Sequence, residues 1–245
     1  MYSTWTRGSL KSKAKDALRG NYWKAFIVSL VLAIISGGSS TGANNASKAG
    51  EGYNGGSGAI NEMLTSSIIK WAIIIAIVTI VVLIIRLIIG YAIEVGTRKF
   101  FVKSSQGESD MNDLLYGFKD NRYMNILKTM FTRDIYLFLW TLLFIIPGII
   151  KSYSYRMVPY ILADNPDIDR KRAIELSREM TKGQKLSIFV LELSFIGWYI
   201  LGFLALFIGM FFVLPYVNAT DAELYLTVRE DAINNGLTTR EELRV

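Results

Sequence analysis

The chain has 245 residues, 51% of them hydrophobic and 20% charged, and a formal net charge of +6. His and Cys are both absent, which removes imidazole bases, thiolate nucleophiles, disulfides and the usual zinc ligands, so any metal site has to be all-oxygen. Apolar residues come in continuous runs with basic residues flanking them, a pattern that points to membrane orientation and away from nucleic acid.

From the N-terminus, Leu10, Ala14, Ala17 and Leu18 form one apolar stripe on a helix that carries Lys11, Lys13, Lys15 and Arg19 on its other faces. This pattern predicts a helix lying on the inner membrane surface, held by anionic lipid. Arg19-Gly20-Asn21-Tyr22-Trp23 leads into a short apolar span from Ala25 to Ile35. A basic start followed by a short apolar stretch also describes a signal peptide. Retention is expected, because the same pattern recurs later in the chain.

Residues 36–60 are mostly Gly, Ser, Asn and Ala, a composition that cannot bury enough apolar area to offset its ordering entropy, and they are expected to form a flexible outer loop. Ile68 to Ile89 spans back. Met111, Leu114, Leu115 and Phe118 repeat the amphipathic stripe, with Asp110 or Ser109 as N-cap. The run Ile135 to Ile150 has no charge, and Pro147-Gly148 is a reversal signal. Residues 149–163 hold Lys151, Arg156 and Pro159, which makes this fourth helix too polar to count by hydropathy alone. After Asp164-Asn165-Pro166-Asp167 the stripe returns at Ala173, Leu176, Ser177 and Met180.

The last apolar run, Ile188 to Val217, has Glu192 as its one charge. As a single helix it would be ~45 Å long, well beyond a ~30 Å hydrocarbon core. It is therefore read as a helical hairpin, from about Gln184 to Phe207 and from Gly209 to Leu226. Thr220 with Glu223 is read as the capped start of an acidic surface helix to Gly236.

The entrances to the apolar segments are alike: Arg19-Gly20-Asn21-Tyr22-Trp23-Lys24-Ala25-Phe26 aligns with Lys182-Gly183-Gln184-Lys185-Leu186-Ser187-Ile188-Phe189, and more weakly with Lys119 to Tyr123. Three repeat units follow, at about 7–104, 108–167 and 169–235 within a single membrane domain, 1–245. Each unit is an inner-surface amphipathic helix followed by a helical hairpin. The expected fold is an all-α polytopic bundle of about six spans, with both termini inside. Hydropathy alone gives four spans and places Lys151 to Lys185 outside. The basic residues of that segment, set against Lys48 alone in the loop from Gly37 to Ser66, favour six.

Leu10-Lys11, Ala14-Lys15, Gly20-Asn21-Tyr22-Trp23, Asp164-Asn165-Pro166, Ser177, Lys182-Gly183, Ser194-Phe195-Ile196-Gly197-Trp198, Pro215-Tyr216, Thr220 and Tyr225 resemble the pattern of a bacterial integral-membrane family known as domain of unknown function nine-seven-five. The chain is more faintly similar to the membrane domain attached to bacterial glycerophosphodiester phosphodiesterases, without room for their catalytic barrel. The resemblance implies a multi-pass protein of the bacterial cytoplasmic membrane and brings no catalytic residues.

Ionisable residues at membrane depth are costly and mark functional sites by default. Arg156 and Glu192 are expected at similar depth, as a register-fixing ion pair or as part of a polar pathway. Arg86, Glu94 and Lys151 are further pathway candidates, with Arg86 also explained by snorkelling. Asp164, Asp167 and Asp169 are read as helix caps rather than a metal site, and no cofactor is expected. The functional expectation is a non-enzymatic membrane component that organises anionic lipid or a partner membrane protein. The rival is a small transporter or lipid-translocating protein using the polar fourth helix.

Overall fold

A computed structural model describes residues 5–36, 58–119, 122–204 and 208–245. Most of the expected outer loop, and Asp120 and Asn121, lie outside these. The described residues are helical throughout, without a strand: α1 (Arg7–Leu18), α2 (Tyr22–Ser36), α3 (Gly58–Ser105), a 3₁₀ helix (Met111–Phe118), α4 (Tyr123–Leu143), α5 (Ile145–Ser154), α6 (Val158–Asp164), α7 (Arg170–Met180), α8 (Lys185–Leu193), α9 (Ile196–Leu204), α10 (Ile208–Asn234) and α11 (Arg240–Leu243).

Two compact units divide the chain, one of Met1–Ala33 with Tyr91–Val245 and one of Ile34–Gly90. The smaller unit contains the apolar helical stretch Lys70–Thr79, where Trp71, Ile73, Ile75 and Val78 are exposed. In the larger unit the broadest packing is α1 on α10, α4 on α5 and α9 on α10.

The stripe on α1 behaves differently from the expectation of a helix resting on lipid. Leu10, Ala14 and Leu18 are buried inside the protein, with α1 laid along α10. Lys11 Nζ donates to the Ser194 carbonyl at 3.2 Å and stands 4.0 Å over the Phe195 ring. Withdrawing a Leu side chain from water is worth about 1.5–3 kcal/mol whatever apolar partner receives it, and α10 supplies that partner within the chain.

Two of the similar segment entrances share a backbone feature. Gly20, after α1, and Gly183, after α7, hold φ of +80° and +79°, a left-handed conformation that costs an L side chain roughly 1–2 kcal/mol. Two sequence-similar turns therefore use glycine for the same backbone geometry.

Three local expectations are corrected. Met111–Phe118 is a 3₁₀ helix capped by Asp110, whose carboxylate accepts from the Asn112 N–H at 2.9 Å. With three residues per turn instead of 3.6, it buries Asp113 and Gly117 and leaves Leu115 and Phe118 exposed. The α4–α5 reversal falls at Phe144, and Pro147 lies in the first turn of α5, where proline is tolerated. Gly148 is a contact and not a turn: a Cβ there would stand 2.5 Å from Thr141 Oγ1 and 2.8 Å from Thr141 Cα. Lastly, Thr220 caps nothing. Its hydroxyl donates to the Tyr216 carbonyl at 2.8 Å, one turn back, and α10 runs unbroken through it to Asn234.

Among the described residues, one helical stretch, Lys185–Leu204, is long and apolar enough to cross a membrane. Large apolar side chains are exposed both within it and at the α4–α5 turn. Phe138, Leu142, Leu143, Phe144, Ile145 and Ile146 at the α4–α5 turn, and Ile200, Leu201, Phe203 and Leu204 on α9, are each more than half exposed.

Candidate functional site

Arg156 stands in the break between α5 and α6, where the helix gives way to a turn at Tyr155–Met157. From there its guanidinium reaches two helices. Nη1 donates to Glu192 Oε1 on α8, and Nη2 donates to both carboxylate oxygens of Asp221 on α10 at 2.9 Å each. Tyr153 adds a further contact by donating its hydroxyl to Glu192 Oε2. The Arg156 and Asp221 side chains are only 19% and 12% exposed, and that of Glu192 is 39% exposed.

The three charges lie at similar distances along the chain from the apolar ends at Phe144, Leu204 and Ile208. Arg156 is twelve residues past Phe144, Glu192 twelve before Leu204, and Asp221 thirteen past Ile208, which is ~18–20 Å of helix each.

Sequence reasoning placed Arg156 and Glu192 at one depth, and the structure puts them in contact. It missed Asp221, because Asp221 follows the last apolar run and looks like the first residue of a tail. Counting residues back from the Gly209 turn would have found it at the same level as Arg156.

A second buried cluster was also missed. Arg98 Nη1 donates to Asn218 Oδ1 at 2.9 Å and to the Tyr160 hydroxyl at 3.3 Å, and Asn218 Nδ2 donates to Ser29 Oγ at 3.1 Å. Close by, Asp164 accepts from Arg229 at 2.9 Å and from the Tyr225 hydroxyl at 2.7 Å, while the Tyr160 and Tyr225 rings stack with centroids 5.0 Å apart.

Each remaining pathway candidate has its own place. Glu94 accepts from Arg133 at 3.3 Å, and Arg133 also donates to Asp134 at 2.8 Å, whose other oxygen takes the Tyr91 hydroxyl at 2.6 Å. Lys151 sits 4.5 Å over the Trp140 ring. The side chain of Arg86 lies outside those described.

The three aspartates near Pro166 go to separate partners: Asp164 to Arg229, Asp167 to Arg244 at 2.5 Å, and Asp169 to the backbone N–H groups of Lys171 and Arg172 as the N-cap of α7. The C-terminal residues are stitched to the same region. Arg172 Nε donates to Glu242 Oε1 at 2.7 Å and Asn165 Nδ2 donates to the Glu242 carbonyl at 2.8 Å. This contact raises the Arg172 pKa and holds the Glu242 carboxyl below its ordinary value.

The arrangement has the chemistry of a lock. Every charged atom of the Arg156–Glu192–Asp221 cluster that is named above is spent on a neighbour, and the cluster ties α5/α6, α8 and α10 together. Residues 141–232 match the family described as Protein of unknown function (DUF975). The resemblance read from the sequence is thereby shown over this stretch. The DUF975 match takes in Arg156, Glu192 and Asp221 together, and so spans the whole ion-pair cluster. No curated protein and no solved structure matches the chain.

Proposed function

We propose that this protein is a non-enzymatic component embedded in the bacterial cytoplasmic membrane, which organises anionic lipid or holds a partner membrane protein on the inner side. The observation that carries this reading is the outward-facing apolar surface of α4, α5, α8 and α9, where Phe144, Ile145, Ile146, Leu186 and Leu204 are 66–74% exposed. Soluble proteins rarely expose contiguous apolar surface on this scale. Basic α1 supports the lipid side of the reading: Lys15, Leu18, Arg19, Tyr22, Trp198 and Tyr216 line an open, mainly apolar pocket of about 300 Å³, two cations among aromatic and aliphatic side chains.

The transporter alternative requires a polar path at the fourth helix. Tyr153 over Glu192, and both carboxylates held by Arg156, favour a register role for that helix instead. The expectation of six spans treats the three hairpins alike. The present reading requires only that the apolar helices are embedded and that the segments rich in Lys and Arg share the inner side.

Single cysteines at Ser47 and Lys171 of this Cys-free chain test it. Residue 47 should react with a membrane-impermeant thiol reagent on intact cells, and residue 171 only after permeabilisation. Reaction at residue 171 in intact cells would overturn the inner placement of α7. A chain recovered from the soluble fraction would overturn the membrane reading as a whole.

A further inference from the structure

We infer that the α4–α5 hairpin does not cross the bilayer: it enters the acyl-chain region of the inner leaflet and turns back within it. The inference rests on the membrane reading above and adds what that hairpin meets, which is lipid chains and not the outer aqueous phase.

The turn itself comes first. A hairpin that crosses a membrane puts its reversal in water or among headgroups, where polar residues suit it. Here the reversal is Leu142-Leu143-Phe144-Ile145-Ile146, without one polar side chain, and each of these residues is 65–72% exposed. Placing such a turn in water would leave five large apolar side chains hydrated, where burial of each is a gain of severalfold the thermal energy. The backbone at the turn is partly paired. The Phe144 N–H donates to the Trp140 carbonyl at 3.1 Å, the Gly148 N–H donates to the Phe144 carbonyl at 3.1 Å, and Pro147 brings no N–H at all. These two bonds and the proline lower the number of unpaired main-chain groups at the two helix ends that meet here.

The second observation is depth. On α4 the charge-free arm above Asp134 is Ile135 to Leu143, nine residues or ~13.5 Å, close to half of a ~30 Å hydrocarbon core. At its foot sit Arg133, Asp134, Glu94 and Tyr91, an ionic cluster that belongs at the headgroup boundary. On α5 the first cation is Lys151, seven residues from Phe144, or ~10 Å. α7 packs against α4, with Arg178 lining one pocket together with Thr132 and Tyr136, and α8, which opens at Lys185, packs against α5. A crossing hairpin would put nearly the whole core between its turn and those inner cations, and here ~10 Å of helix does so. With the hairpin in one leaflet, Lys151, Arg178 and Lys185 all lie on the inner side. The basic segment then obeys the charge rule without a polar fourth helix having to cross.

The test uses the full-length protein in liposomes, with a single cysteine at Ile145 carrying a polarity-sensitive fluorophore, and a second preparation labelled at Lys171. Quenching is measured with lipids bearing a nitroxide near the headgroup or deep on the acyl chain. A permeant thiol reagent should modify residue 145, and the impermeant one should fail from either side of the membrane. The deep nitroxide should quench residue 145 several-fold more than the shallow one, and neither should quench residue 171 strongly. Reaction of residue 145 with the impermeant reagent on intact cells would overturn the inference in favour of a crossing hairpin and leave the membrane reading standing. Absence of quenching at residue 145 by both nitroxides would remove the hairpin from lipid and overturn the inference, and with it the observation on which the membrane reading stands. Should Ile145→Cys fold poorly, Leu142→Cys on the facing arm, 71% exposed, carries the same expectations.

Discussion

Replacing Arg156 with Leu should cost far more than replacing Glu192 with Leu, although the two residues are ion-pair partners. Among the described residues Arg156 is the cation that hydrogen-bonds both Glu192 and Asp221, so its loss leaves both carboxylates without that partner, with Asp221 only 12% exposed. Breaking a buried pair from one side costs about 3–5 kcal/mol. Loss of Glu192, 39% exposed, leaves Arg156 with both oxygens of Asp221 at 2.9 Å, and the cost falls to about 1 kcal/mol. From sequence alone a double change of Arg156 and Glu192 to Leu is expected to recover stability. With Asp221 in place it should not, because one buried carboxylate stays unpaired, and only the further change Asp221→Asn should restore folded yield. The assay is unfolding of the purified protein in mixed micelles by rising denaturing detergent, followed by helical circular dichroism. A double variant as stable as the wild type, or a Glu192→Leu variant as unstable as Arg156→Leu, would refute the three-way arrangement.

Gly148→Ala places a methyl 2.5 Å from Thr141 Oγ1 and should open the α4–α5 contact at about 1–3 kcal/mol, while Gly197→Ala, with nothing within 4 Å, should be neutral or slightly stabilising; equal losses in the same unfolding assay would show that the hairpin does not close at residue 148. The Arg172–Glu242 contact predicts a pH dependence. Because the folded carboxyl of Glu242 lies below its ordinary value, its contribution is complete above the unfolded pKa of about 4.3 and is lost as pH falls through the folded one. The stability difference between wild type and Arg172→Gln, no more than about 1 kcal/mol for a pair this exposed, should therefore be flat from about pH 7 to pH 5 and shrink below it; a difference that grows on acidification would contradict the assignment.

The apolar runs, the amphipathic stripes and the similar entrances at Gly20 and Gly183 were legible in the sequence because each follows from local periodicity or backbone conformation. What the stripes pack against was not. Leu10, Ala14 and Leu18 have the same pattern whether they meet lipid or α10, and only the tertiary arrangement decides. Pro147-Gly148 misled for a related reason: proline in a first helical turn and glycine at a close approach leave the same two letters as a reversal. Thr220 with Glu223 spells a capping box, yet in a helix already running the hydroxyl returns to Tyr216 and no end forms. Arg156 and Glu192 stood out as isolated charges in apolar surroundings. Asp221, Arg98 and Asn218 did not, since their burial comes from helices distant in sequence.

The order in which the chain is made gives α10 a particular role. Arg98, Arg156 and Asp164 emerge on α3, at the α5–α6 break and on α6, and their partners Asn218, Asp221 and Arg229 all come later, on α10. Arg156 and Arg98 already have Glu192 and Tyr160 on earlier helices, but until α10 arrives each of the three side chains lacks its α10 partner. The final pairing of three separate helical segments thus waits on one late helix, and a chain lacking α10 would keep all three charges incompletely satisfied.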